Sequence, residues 1–162
     1  MAIRDNSWLH QLLDETWDKY FIDVPQENDV RILFGRRTKN RLGSIKVDVN
    51  DPQTSIITIN GLFKDERVPE FVVIATIVHE LSHYAHGFNS PIEQKHRHPH
   101  AGGVMKQEFA ERGLAQLYID QRKWLKNNWR DFVGGTLVVT KSKTVTRQPA
   151  KIKIPRPFWF GN

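Results

Sequence analysis

The stretch Phe71-Val72-Val73-Ile74-Ala75-Thr76-Ile77-Val78-His79-Glu80-Leu81-Ser82-His83-Tyr84-Ala85-His86, closed by Gly87, decides how this chain is read. An apolar run leads straight into two histidines four residues apart, which predicts a largely buried helix. Pro69 suits its first turn and Gly87 its end. On a helix, residues four apart stand one turn above each other, so the imidazoles of His79 and His83 converge on one point with Glu80 beside them. Zinc held by such a pair brings the pKa of its bound water toward neutrality, and the neighbouring glutamate takes the proton as hydroxide attacks a carbonyl. The spacing HExxH therefore predicts metal ligation by His79 and His83 and a general base at Glu80.

A catalytic zinc needs a third protein ligand and one open position. Six of the seven histidines fall between His79 and His100. An extension of the motif along the same stretch would need glycine at 86 and histidine at 89, where this chain has His86 and Asn89. Residues 87 to 101 contain Pro91 and Pro99 without apolar periodicity and read as a long loop. Its His96, His98 and His100 compete for the role with Glu108 and Glu111, which stand three apart on the following helix. His100 lies nearest the start of that helix, where the backbone becomes fixed, and is the expected ligand; the two glutamates are the runner-up pair. His86 is expected to face the C-terminal dipole of its own helix. His96 and His98 are expected to be solvated, and His10 to be unrelated to the metal.

Upstream, Leu9, Leu13, Trp17 and Tyr20 recur at helical spacing over residues 6 to 21, with Asp5 or Asn6 as N-cap. Three strands follow: Val30, Ile32 and Phe34 alternate, Ile45, Val47 and Val49 alternate, and residues 55 to 60 are rich in isoleucine. They predict an antiparallel meander whose first hairpin tip carries Arg36, Arg37, Lys39 and Arg41, candidate contacts to nucleic-acid phosphates. Downstream of Gly102-Gly103, Ala110, Leu114, Leu117, Leu125 and Trp129 predict one long helix toward Phe132, closed by Gly134-Gly135. Short β-prone pieces, the first of them residues 137 to 140, come after it. The expected class is α+β, zincin-like, with a small mainly antiparallel sheet packed on the motif helix and further helices. Residues 1–133 form the expected metalloprotease domain and residues 134–162 a basic tail or additional strands. Trp8, Trp17, Trp124 and Trp129 read as structural anchors.

The chain has 162 residues, 39% of them hydrophobic and 26% charged, a globular mix sufficient for one core. It contains no cysteine, which excludes disulfides, thiolate metal sites and cysteine nucleophiles, so a metal must be held by His, Asp or Glu. No apolar run is long enough to span a membrane and none resembles a signal core; a cytoplasmic setting is expected. Residues 1 to 131 are electrically balanced, and the net charge of +6 lies wholly in Lys141, Lys143, Arg147, Lys151, Lys153 and Arg156. Such a tail suits the phosphates of single-stranded DNA, with Trp159 in Phe158-Trp159-Phe160 available to stack on unpaired bases or, alternatively, to clasp the tail back onto the body.

From residue 8 to 115 the chain resembles the SprT-like zinc metalloprotease family, the Spartan-type protease domain. The shared elements come in the family's order: a first helix, a strand ending Ile57-Thr58-Ile59-Asn60-Gly61-Leu62, the helix with His79-Glu80-Leu81-Ser82-His83, and a later histidine before a glycine-containing turn. The resemblance implies that His100 is the third zinc ligand and that the substrate is protein attached to DNA. In this chain the family's glycine is displaced to Gly102, Val104 stands in place of an aromatic residue, and no cysteine-based zinc ribbon is present. Two rivals remain: an endopeptidase with no nucleic-acid role, and a DNA-binding module whose metal is structural, with His96 or His98 as fourth ligand.

Overall fold

The computed structural model describes residues 4–141. Helix α1, Asn6–Tyr20, opens on Asp5, whose carboxylate accepts the amide of Trp8 at 2.9 Å. Three strands follow, β1 (Asp29–Phe34), β2 (Gly43–Val47) and β3 (Thr54–Ile59). Helix α2, Glu70–Ala85, carries the motif. Beyond the histidine-rich loop come α3 (Val104–Glu111), α4 (Ala115–Trp124) and α5 (Arg130–Lys141), the last two joined by a π-helical segment, Leu125–Trp129. The protein is thus α+β. None of its helices among the described residues is long and apolar enough to cross a membrane.

The sheet is mixed, which corrects the expected antiparallel meander. Its order is β1-β3-β2: β2 pairs antiparallel with β3, but β1 pairs with β3 in parallel. The stretch 36 to 41 is therefore no hairpin tip, since β3 lies between the strands it connects. The most apolar strand takes the centre, where both of its edges are hydrogen-bonded and Ile57 and Ile59 are fully buried. Asn60, at the end of β3, pins the crossing connection: its amide nitrogen donates to the carbonyls of Thr38 and Arg41 at 2.7 and 2.8 Å. The other turn closes on Asp51, whose carboxylate accepts from the Gln53 amide and the Thr54 hydroxyl.

Helix α2 touches α1, α3, α4, β2 and β3, and Val72, Val73, Ala75, Ile77 and Val78 on it have no exposed surface. Each of the three valines and Ile77 contributes roughly 1.5–3 kcal/mol relative to exposure. Polar groups buried against it are satisfied, because Gln121 of α4 donates to the Val72 carbonyl and the Thr76 hydroxyl, which itself donates to the Val72 carbonyl. The four tryptophans read as anchors take that part. Trp8 stacks on Phe34, Trp17 meets Tyr84 edge-on, Trp124 packs near Phe132, and the Trp129 indole donates to the Lys39 carbonyl at 3.0 Å.

The single long helix expected downstream is broken at Arg112-Gly113-Leu114, where Gly113 has φ +74°. Nor does Gly134-Gly135 end α5, which continues to Lys141, so residues 137 to 140 are helical rather than extended. Both glycines lie within helical backbone, and packing of the preceding turns overrides their low propensity. Lys143, Lys151, Lys153 and Trp159, and the tail strands expected there, lie outside the described residues.

Candidate metal centre

The site is built on the last two turns of α2, which are held rigid by burial on all sides. His79 and His83 project from one face, and their Nε2 atoms lie 3.1 Å apart. Two nitrogen ligands at about 2.0–2.1 Å from a tetrahedral ion stand roughly 3.3 Å apart, so the pair fits such an ion without rearrangement. His100 completes the group: its ring stacks on His79 at 5.4 Å between centroids and meets His83 edge-on at 4.8 Å. One ligand nitrogen from each of the three falls within 4.8 Å of the others, close enough to hold a metal ion.

The electrostatics agree with that chemistry. Burial, followed by the proximity of His83 and His100, holds His79 well below the usual imidazole range. Burial, with His100 and His86 nearby, takes His83 down to about 3. Burial also lowers His100. All three are therefore neutral near pH 7, the form that ligates. His79 and His83 are buried and His100 is half-buried. Glu80 is 2% exposed, and burial pushes its carboxyl up to about 8 against the opposing charge of Arg41.

The loop that delivers His100 is anchored at both ends. Helix α2 ends with Gly87 at φ +78°, the Gly87 amide donating to the Tyr84 carbonyl at 3.0 Å and the Phe88 amide to the His83 carbonyl at 2.9 Å. A Cβ at Gly87 would lie 2.5 Å from the carbonyl oxygens of Ile92 and Glu93. Asn89, at φ +54°, donates from its side chain to the Ile45 carbonyl at 3.0 Å, clipping the loop to β2. At the far end His100 precedes a single 3-10 turn, Ala101–Gly103, which leads into α3. Between the loop and β2 lies a cleft of about 200 Å³ lined by Glu80, His83, His100, Phe88, Arg41 and the strand itself.

The remaining candidates fall elsewhere. Glu108, a runner-up ligand, accepts from Arg112 at 2.7 Å and lies 2.8 Å from His86 Nε2. Burial would raise its carboxyl, but His86 and Arg112 outweigh it and hold Glu108 at about 2. Arg112 is itself fixed by Asp23 and the Tyr20 carbonyl, both at 2.7 Å, so Glu108 is committed to tying α3 to α1 and α2. Glu111 is exposed and accepts from Gln107. His86 stands at the C-terminal cap of α2, the helix-end position expected, and is 2% exposed there, between Glu108 and the ring of His96. His96 is half-buried there, while His98 and His10 are exposed. Arg36, Arg37 and Arg41 are exposed on the connection before β2, and Lys39 is half-buried.

Three contributors were not legible in the sequence. Gly43 faces Glu80, and a Cβ there would approach Glu80 Oε1 to 2.8 Å and Thr76 Cγ2 to 2.9 Å. Arg41, read only as a phosphate contact, lines the cleft and acts on Glu80. Asn89 entered only as a residue that is not histidine. The turn-like Arg41-Leu42-Gly43 run was the one available signal for the first two. The chain matches no family model, no curated protein and no solved structure.

Proposed function

We propose that the protein is a zinc-dependent endopeptidase of the SprT-like kind. The observation that carries this reading is the convergence of His79, His83 and His100 beside buried Glu80, at the floor of a cleft open to a substrate. Three neutral imidazoles form a donor set suited to zinc. Bound there, the ion would activate a water and polarise the substrate carbonyl.

The chain's own groups supply the rest. Glu80 in its carboxylate form accepts the proton of the attacking water and returns it to the leaving amine, and burial raises its affinity for that proton. Gly43 lets that carboxylate sit against β2. The ladder of β2 with β3 is bounded by the bonds from Asn60 to Leu42 and from Asp48 to Thr54, so hydrogen-bonded pairs alternate and Gly43, Ile45 and Val47 turn their backbone groups outward. Asn89 occupies the Ile45 carbonyl. The others are available to an extended peptide crossing the cleft.

Protein attached to DNA is the proposed substrate, on the resemblance, the cationic tail and the exposed Arg37. A purely structural metal fits less well, because among the described residues the cluster offers three ligands, with His96 turned to His86 and His98 exposed. The test is incubation of the zinc-loaded protein with a DNA-binding protein, with and without single-stranded DNA. Cleavage should be abolished by a chelator and fall by about a hundredfold or more in Glu80→Gln, with zinc content and melting temperature retained. Near-parental cleavage in Glu80→Gln would overturn the mechanism. Equal rates with and without DNA would leave a general endopeptidase.

A further inference from the structure

A second cavity, of about 250 Å³, shares a wall with the metal cleft. Arg41, Gly43, Ser44 and Lys46 line both, so the two are halves of one trough passing over β2. The second half has three cationic lining residues, Arg36, Arg41 and Lys46, and three hydroxyl-bearing ones, Thr38, Ser44 and Thr58, and no carboxylate lines it. Its floor is fixed, because Asn60 holds the backbone of Thr38 and Arg41 by three hydrogen bonds. Cations above hydroxyl donors make a receptor for an oxyanion.

We propose that this cavity is a substrate subsite for an acidic side chain, aspartate or glutamate, of the peptide whose scissile bond lies in the metal cleft. The proposal rests on the peptidase reading. Two observations favour a peptide carboxylate over a nucleic-acid phosphate. The volume lies below the roughly 300 Å³ at which sites for whole small molecules begin, which suits one side chain. No aromatic ring lines the cavity, so unpaired bases have nothing there to stack on. An extended chain repeats its side chains on one face about every 6.6–6.8 Å, so a residue bound here lies within a few positions of the cleaved bond. Arg37 and Lys39, from the same connection, do not line the cavity.

The test reads binding and cleavage separately. Zinc-loaded full-length Glu80→Gln protein is titrated with a fluorescein-labelled ten-residue peptide of alanine, serine and leucine carrying one glutamate, with its glutamine twin, and with a ten-nucleotide single strand. The glutamate peptide should bind about fivefold more tightly than its twin, and adding Arg36→Gln and Lys46→Gln should reduce that ratio to near one. Both residues are exposed, so the fold should survive, as melting will show. Lys46→Glu should turn the preference toward a lysine-containing peptide. Equal binding of the twins, or a preference that survives Arg36→Gln with Lys46→Gln, overturns the subsite. So does loss of oligonucleotide binding in that double variant with the peptide preference intact. Cleavage of both twins at equal rates by the parent would overturn the subsite and leave the peptidase reading standing. Binding with the stated preference but no cleavage of any substrate would sink the peptidase reading alone.

Discussion

His100 reaches the histidine pair from a loop, and the centre is incomplete without it. Substituting His100→Ala should remove most bound metal, whereas His96→Ala, His98→Ala and Glu108→Ala should each retain about one ion per chain, as elemental analysis of dialysed protein will report. Gly43→Ala should behave differently: its methyl group displaces the Glu80 carboxylate, so cleavage falls by about tenfold to a hundredfold at unchanged metal content. The contrast explains what could be read in advance. His79, Glu80 and His83 were legible because their geometry is local, set by the pitch of one helix. His100 was legible only by its place in the chain. Gly43 was not, because its contact with Glu80 arises where β2 packs on α2, and nothing in Leu42-Gly43-Ser44 encodes a partner so far along the chain.

The helices and strands themselves followed from periodicity, but their ends and neighbours did not. Alternation tells which face of a strand is buried and says nothing about which strand lies beside it, which is how β3 came to be misplaced at the edge rather than the centre. Gly134 and Gly135 suggested a stop, yet they lie inside α5 with open space where a Cβ would stand. Gly134→Ala and Gly135→Ala should therefore each stabilise the protein by about 0.5–1 kcal/mol in denaturant titrations; no gain would argue against a helix there. Glu108 offers a check on the join between α2 and α3. Its folded-state value of about 2 lies below the ordinary 4.5, so the gain from its ionised form is full above about pH 4.5 and vanishes as pH falls toward 2. Glu108→Gln should thus melt below the parent at pH 7, with the difference closing across that window.

Over the whole chain, charge is divided sharply, a balanced body preceding a tail without acids. If that tail neutralises about four to six phosphates, the logarithm of the affinity for single-stranded DNA should fall with the logarithm of salt concentration at a slope of about −3 to −4. Replacing Lys141, Lys143, Lys151 and Lys153 with glutamine should flatten the dependence while metal content stays constant; an unchanged slope would move the contact to Arg37 and Lys39. The strand order carries one more consequence, for the sequence of events in folding. β2 and β3 meet across the short turn over residues 48–53, whereas the parallel ladder of β1 with β3 joins residues 25 apart in the chain, Asp29 with Thr54. Loop entropy favours the nearer pairing, so the β2–β3 hairpin belongs to the folding nucleus and β1 joins late. In stopped-flow experiments Asp51→Ala should slow folding, and Val30→Ala should chiefly hasten unfolding, so that the wall of the trough over β2 exists before the sheet behind it is finished.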